Sequence, residues 1–226
     1  MKSRSLASLV LLALCVAPSE AARALPVVDQ ENLAPWMLGG RIGTLSGQTF
    51  DVAQVFEVGM AGTLAAIEVY LARRGSPDDI TLEIRGTTAG VPDPSGGLGF
   101  VTHDASAVTT SGGLVRFDLQ GLGIPVSVGD VLSFVLSSPQ DFTGNVHEYG
   151  AYFSLQDYVP GGSFHGDVDG GTASPFVPDT VFRTFVEPVP EASTLTLVAL
   201  GFGAAGVMRR GRPRARASAK QQWRAS

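Results

Sequence analysis

Few side chains in this chain could do chemistry. The stretch His165-Gly166-Asp167-Val168-Asp169-Gly170-Gly171 sets two carboxylates two residues apart on a Gly-flanked turn, a spacing that suits the hard oxygen ligands of calcium. The third oxygen ligand and the closing Glu of an EF-hand are missing, so calcium here would be weakly held and completed by Asp157 or by backbone carbonyls. The same residues also make a plain Asx turn. His103, His147 and His165 are the only histidines, and each sits in loop-like sequence where an exposed imidazole is the simple reading. Glu68 and Glu83 could act as acid and base on a glycosidic bond, or, with Arg85 beside them, serve as cross-strand ion pairs. Tyr149, Tyr152 and Tyr158 gather with Phe153 and Phe164 in Gly-rich sequence. Such rings either cap a core from a long loop or display flat faces on which sugars stack. No Gly-x-Ser-x-Gly elbow, phosphate loop, dinucleotide fingerprint or His-Glu-x-x-His occurs, so no catalytic residue is assigned.

The elements that would position these residues are strands. From Phe50 to Val58 apolar and polar residues alternate, which is the period of a half-buried strand. Ile67, Val69 and Leu71 fall on one face of the next run, with Ala66, Glu68 and Tyr70 on the other. Ile80, Leu82 and Ile84 point inward against Thr81, Glu83 and Arg85, and Val115, Phe117 and Leu119 repeat the rule. Arg74-Gly75-Ser76-Pro77-Asp78-Asp79 is turn chemistry, fit for a hairpin or a short crossing. Val126–Val128, Val131–Leu136 and Thr180–Val186 complete the readable strands. Short strands separated by Gly, Pro, Asn and Asp, without an amphipathic helix, predict an all-β antiparallel β-sandwich over residues 25–187, a jelly roll in particular.

Charge narrows the partners. Residues 25–188 hold 19 Asp and Glu against six Arg and no Lys, a formal charge of −13. Such a domain repels phosphate backbones, which excludes nucleic acid and leaves cations and neutral glycans as partners.

Both ends read as addresses. Residues 1–24 have a basic start at Lys2 and Arg4, an apolar run from Leu6 to Ala17 and the small-x-small Ala22-Arg23-Ala24, a signal peptide for the Sec translocon and signal peptidase. Cys15 would leave with it, and the mature chain would then hold no disulfide or thiolate site. At the other end, Val189-Pro190-Glu191-Ala192-Ser193-Thr194 leads into the uncharged run 195–208 and then Arg209, Arg210, Arg212, Arg214 and Arg216. As a helix the run reaches roughly 21 Å, short of the roughly 30 Å hydrocarbon core, with the basic cluster holding its end on the cytoplasmic side. Residues 188–216 resemble the PEP-CTERM sorting signal, and residues 217–226 form a basic tail beyond it. That resemblance implies export, a transient membrane tether through the short transmembrane helix, and processing by an exosortase near the Pro-Glu motif, with delivery to the outer surface or extracellular matrix.

The central strands carry a second resemblance. Gln54-Val55-Phe56-Glu57-Val58, Thr63 to Leu71 and Ile80 to Arg85 resemble the opening strands of a bacterial surface domain with a jelly-roll-like sandwich. That group has no known catalytic set. The reading is therefore a non-catalytic exported protein of the envelope or exopolysaccharide matrix, structural or glycan-binding, with no cofactor beyond weak calcium. The alternative is a secreted polysaccharide hydrolase or lyase on the same scaffold.

Overall fold

The structure, a computed structural model, describes residues 24–142, 147–159, 161–176 and 178–189. All of them fall in the unit Met1–Val189. The expected signal peptide up to residue 23 and the sorting signal from Pro190 onward lie outside the described residues. Among the described residues no helix is long and apolar enough to cross a membrane.

The strands in chain order are β1 (Val27–Asn32), β2 (Pro35–Leu45), β3 (Gln48–Glu57), β4 (Gly62–Arg74), β5 (Ile80–Thr88), β6 (Val91–His103) and β7 (Gly113–Asp118). There follow β8 (Pro125–Val126), β9 (Val131–Ser137), β10 (Glu148–Ser154), β11 (Gly162–Gly166), β12 (Ser174–Phe176), β13 (Asp179–Thr180) and β14 (Phe182–Pro188). Helical structure among the described residues consists of two single 3-10 turns, at Ala105–Ala107 and Gln120–Leu122. The fold is an antiparallel all-β sheet that curls on itself in the manner of a sandwich, with the path β1-β14-β4-β10-β2-β3-β9-β5-β6.

β2 is the corner of that path. Its first half pairs with β10, Leu38 opposite Tyr152 and Met37 opposite Phe153, and its second half pairs with β3, Gly43 opposite Phe50. Gly40 sits where side chains from both neighbouring strands crowd β2: a Cβ there would stand 2.7 Å from Val52 and 2.8 Å from Phe153, so glycine fits without displacing them. Two hairpins have two-residue turns with positive φ throughout, Ser46-Gly47 at 51° and 82° and Ala89-Gly90 at 53° and 78°. Both match the type I′ turn that suits strand twist.

Between the layers lies an apolar core. Phe134 on β9 meets Phe182 on β14 edge-on at 5.6 Å, and Phe56 on β3 lies 6.4 Å from Phe182. Ile67, Val69, Leu71, Ile80, Leu82, Ile84, Phe117 and Leu119 are all fully buried, as their alternation predicts. β3 is buried on both faces. Val52 and Phe56 join the main core, while Ala53 and Val55 pack with Val135, Phe164 and Val168 in a second, smaller cluster.

The expected hairpin or short crossing at 74–79 is a crossing. β4 and β5 are not neighbours in the sheet path, and β5 instead pairs with β6 and β9. The Gly-rich region around Tyr149 to Phe164, which shows no strand pattern in sequence, holds β10 and β11.

Candidate functional site

The three tyrosines do not share one platform. Tyr149 is fully buried in the core, and its hydroxyl donates to the Asp78 carbonyl at 2.6 Å. Burial pushes that phenol up to about 12, so it stays a neutral donor. The glycan-stacking role expected for its ring is corrected here: Tyr149 points inward because β10 alternates, with Tyr149, Ala151 and Phe153 in the core. Tyr158 is a core cap. Its ring meets Phe182 edge-on at 5.1 Å, and its hydroxyl donates to Gln30 Oε1 at 3.1 Å. Burial raises this phenol to about 12 as well. Tyr152 alone of the three points outward.

On that outer face Tyr152 meets Tyr70 of β4, their rings 4.6 Å apart at 60°. Strand pairing extends the row, because Tyr70 faces Leu114 on β7 and Tyr152 faces Leu38 on β2. Leu114 and Leu38 are 39% and 51% exposed, so an apolar stripe crosses the sheet from β7 to β2 in contact with water. Gly112 makes room for the pair: a Cβ there would lie 3.0 Å from Tyr70 and 3.2 Å from Tyr152.

Beside the stripe, β2, β10 and the end of β4 enclose a cleft of about 580 Å³. Gly150 and Ala72 form its floor, directly paired across β10 and β4. Leu38 folds down over Gly150, whose added Cβ would sit 2.6 Å from Leu38 Cδ1. Leu38 and Tyr152 thus give apolar walls, and Arg41, Arg73, Arg74 and Glu148 give polar ones. Glu148 pairs closely with Arg41 and stands 3.9 Å from Arg74. Arg73 is held by the Val108 carbonyl at 2.7 Å and by the Gly75 carbonyl. Arg41 also lies over the Phe142 ring at 4.8 Å, a cation–π contact that steadies its guanidinium.

The Asp167-Asp169 turn is organised by an arginine. Asp167 Oδ1 accepts from the Gly170 N–H at 2.6 Å, which is the Asx turn. Asp169 Oδ1 takes Arg85 Nη1 at 2.6 Å. Arg85 is buried and also holds Glu83 at 2.9 Å through its Nε. Arg85 thus gives Asp169 a positive partner, which lessens the like-charge repulsion between the two carboxylates of the turn. Among the described residues no three His, Cys, Asp or Glu gather as a metal would need. Asp51, which the sequence reading did not single out, is buried beneath this turn and accepts from the Val168 N–H at 3.2 Å. Burial, reinforced by Asp169 and Asp167, pushes its carboxyl up to about 6 against the Val168 hydrogen bond and Arg85.

Glu68 and Glu83 do not face each other. Glu68 is directly opposite Arg183 and Arg116 on the two strands flanking β4, with Arg183 Nε at 2.5 Å and Arg116 Nη1 at 3.4 Å. Glu83 is on β5 and paired with Arg85. Ion pairing, not acid–base pairing, is what the geometry holds. The histidines are bound to backbone: His103 Nε2 to the Arg116 carbonyl at 2.8 Å, His165 Nε2 to the Arg41 carbonyl at 3.1 Å, and His147 Nδ1 accepting from the Ser76 N–H at 2.9 Å.

Sequence reading reached Tyr152 and the outward position of Tyr70 but missed Leu38, Arg41, Arg74 and Glu148. β2 and β10 meet only through the fold, and neither shows a strong alternation. The one local hint was the Arg73-Arg74 pair in a domain with six arginines.

No protein-family model and no curated protein matches the chain. Among solved structures it is similar to the cysteine protease and lectin-like domains of Cwp84, a surface layer associated protein of Clostridium difficile, at 11% identity and a TM-score of 0.45. That likeness covers 63% of this chain and 33% of the other, so the chain spans about a third of that structure. It is also similar to the structure of Tomato Aspermy Virus, at 10% identity and a TM-score of 0.28, over 84% of this chain and 98% of that one.

Proposed function

We propose that this chain is a non-catalytic exported protein of the cell envelope or extracellular polysaccharide matrix, a jelly-roll sandwich that binds glycan in the outer-face cleft. The observation that carries the reading is the cleft itself, with Leu38 and Tyr152 as apolar walls above a floor of Gly150 and Ala72. Sugar rings have apolar faces edged by hydroxyls, and a flat, open trough with aromatic and aliphatic walls and nearby charged hydrogen-bonding groups suits both parts. Hydrolysis would call for two carboxyl groups in register across the bond. Glu148 is the acidic side chain among the described lining residues, and Arg41 engages it.

The signals at the two ends support the location. Signal peptidase and the Sec translocon act on residues 1–24, and an exosortase acts at Val189 to Thr194 after Arg209, Arg210, Arg212, Arg214 and Arg216 hold the tail in the inner membrane. Intact mass spectrometry of the exported protein checks this part, with an end between Val189 and Ser193 expected. A mature form still carrying Ser226 refutes it. For the binding site, a glycan array combined with a reducing-end assay is the test. Retention of a polysaccharide without product, lost in Tyr152→Ala, is expected; release of reducing ends, or binding indifferent to Tyr152→Ala, counts against the cleft.

A further inference from the structure

The cleft runs against the charge of the domain around it. Residues 25–188 carry 19 acidic side chains and six arginines, yet Arg41, Arg73 and Arg74 line this one trough, with Glu148 as the single acidic residue among the described lining residues. Half of the domain's cations meet at one place. Arg85, Arg116 and Arg183 are each in close ion pairs elsewhere, with Glu83 and Asp169, with Glu68 and Asp118, and with Glu68.

The three cleft arginines differ in what they are doing. Arg73 is committed to the Val108 and Gly75 carbonyls, and Arg41 to Glu148. Arg74 is 67% exposed and 3.9 Å from Glu148 Oε1, beyond hydrogen-bond reach. Its planar fork of N–H donors is therefore open to solvent at the mouth of the trough, about where a second carboxylate would find a bidentate partner. Arg73 and Arg41 add positive potential without having to move.

We propose that the cleft selects acidic glycans, those whose sugar residues carry a carboxylate, with Arg74 as the residue that receives it. This rests on the glycan-binding reading of the same cleft and specifies its ligand class. Leu38 and Tyr152 hold the apolar face of the ring, and Arg74 takes the carboxylate on its edge. Uronic acid residues present both features on one ring. The overall negative field of the domain slows the approach of such a polyanion, and the local excess of arginine decides where it docks. Binding is then strongest at low salt and weakens as salt rises, because the attraction at the exposed Arg74 is screened.

The purified full chain is titrated calorimetrically with tetragalacturonate and with cellotetraose, a neutral tetramer, at low and physiological salt. Tetragalacturonate is expected to bind about tenfold more tightly than cellotetraose at low salt, the worth of one charge-assisted hydrogen-bonded contact. Arg74→Gln, which keeps an amide donor for hydroxyls but loses the charge, should weaken tetragalacturonate about tenfold more than cellotetraose and so remove that preference, while Tyr152→Ala weakens both ligands. Arg74 is largely exposed, so the variant folds; far-UV circular dichroism verifies it. If cellotetraose binds as well as tetragalacturonate, or if Arg74→Gln keeps the preference, the acidic-glycan assignment falls and the glycan-binding reading stands. If neither binds, both fall.

Discussion

At the scale of single residues, the chemistry of this domain lies in how it houses charge. Asp51 is 3% exposed and its carboxyl is held at about 6, against an ordinary 3.8. An acid whose folded value is raised binds more protons folded than unfolded between those two values, so stability falls as pH rises through that window and levels off above about 6. The wild-type protein is thus expected to gain about 2 kcal/mol from this group on going from pH 7.5 to 4.5. Asp51→Asn, which keeps an acceptor for the Val168 N–H, should be more stable than wild type at pH 7.5 and lack that gain. Urea unfolding of both proteins across pH checks it; parallel profiles would refute it. Close by, Arg85 holds Glu83 and Asp169 from a buried position. Arg85→Met should cost about 1–3 kcal/mol, discounted because Asp169 is largely exposed. Addition of calcium to that variant tests whether a cation can stand in for the lost guanidinium.

At the scale of elements, Gln54 of β3 ties together parts of the fold that lie far apart in sequence. Its fully buried amide donates to Asp179 Oδ1 at 3.0 Å and accepts from the Thr180 N–H at 2.8 Å. Asp179 Oδ2 in turn accepts from the Tyr158 N–H at 2.8 Å. One side chain thereby ties β3 to β13 and to the 155–159 loop. Gln54→Leu leaves the buried Asp179 carboxylate short of a partner and is expected to lower stability by about 2–4 kcal/mol in urea unfolding. Gln54→Glu should be worse, since it sets two carboxylates together. The β5–β6 turn gives a prediction of the opposite sign. Ala89 holds φ at 53°, a conformation that costs an L residue with a Cβ about 1 kcal/mol. Ala89→Gly is expected to raise the unfolding midpoint or leave it level, and a fall would show that the turn tolerates Ala without strain.

At the scale of the molecule, a formal charge of −13 over residues 25–188 makes the domain repel itself, and salt should relieve this. The melting temperature is expected to rise between about 0.02 and 0.5 M sodium chloride, because the net repulsion outweighs the few exposed ion pairs that salt weakens. A fall would show that the ion pairs dominate. The chain by itself determined the class of fold and the buried faces of β4, β5 and β7, since Ile67, Val69, Ile80, Leu82 and Phe117 alternate with a period that only a pleated strand reproduces. It also determined the acidic balance and the motifs at the two ends. It did not disclose β10, because Gly150 and Ala151 give that strand no β-branched signal, nor the loss of Asp169 to Arg85, two residues 84 positions apart. Tertiary structure alone decided which rings reach water. Tyr149 and Tyr152 lie three residues apart on one strand, so alternation sets them on opposite faces, and the pairing of β10 between β2 and β4 decides which face is the core and places Tyr152 beside Leu38 and Tyr70. The cleft exists because strands far apart in sequence lie side by side, and a contact of that kind is fixed by the closing of the sheet, not by any local propensity of the residues that line it.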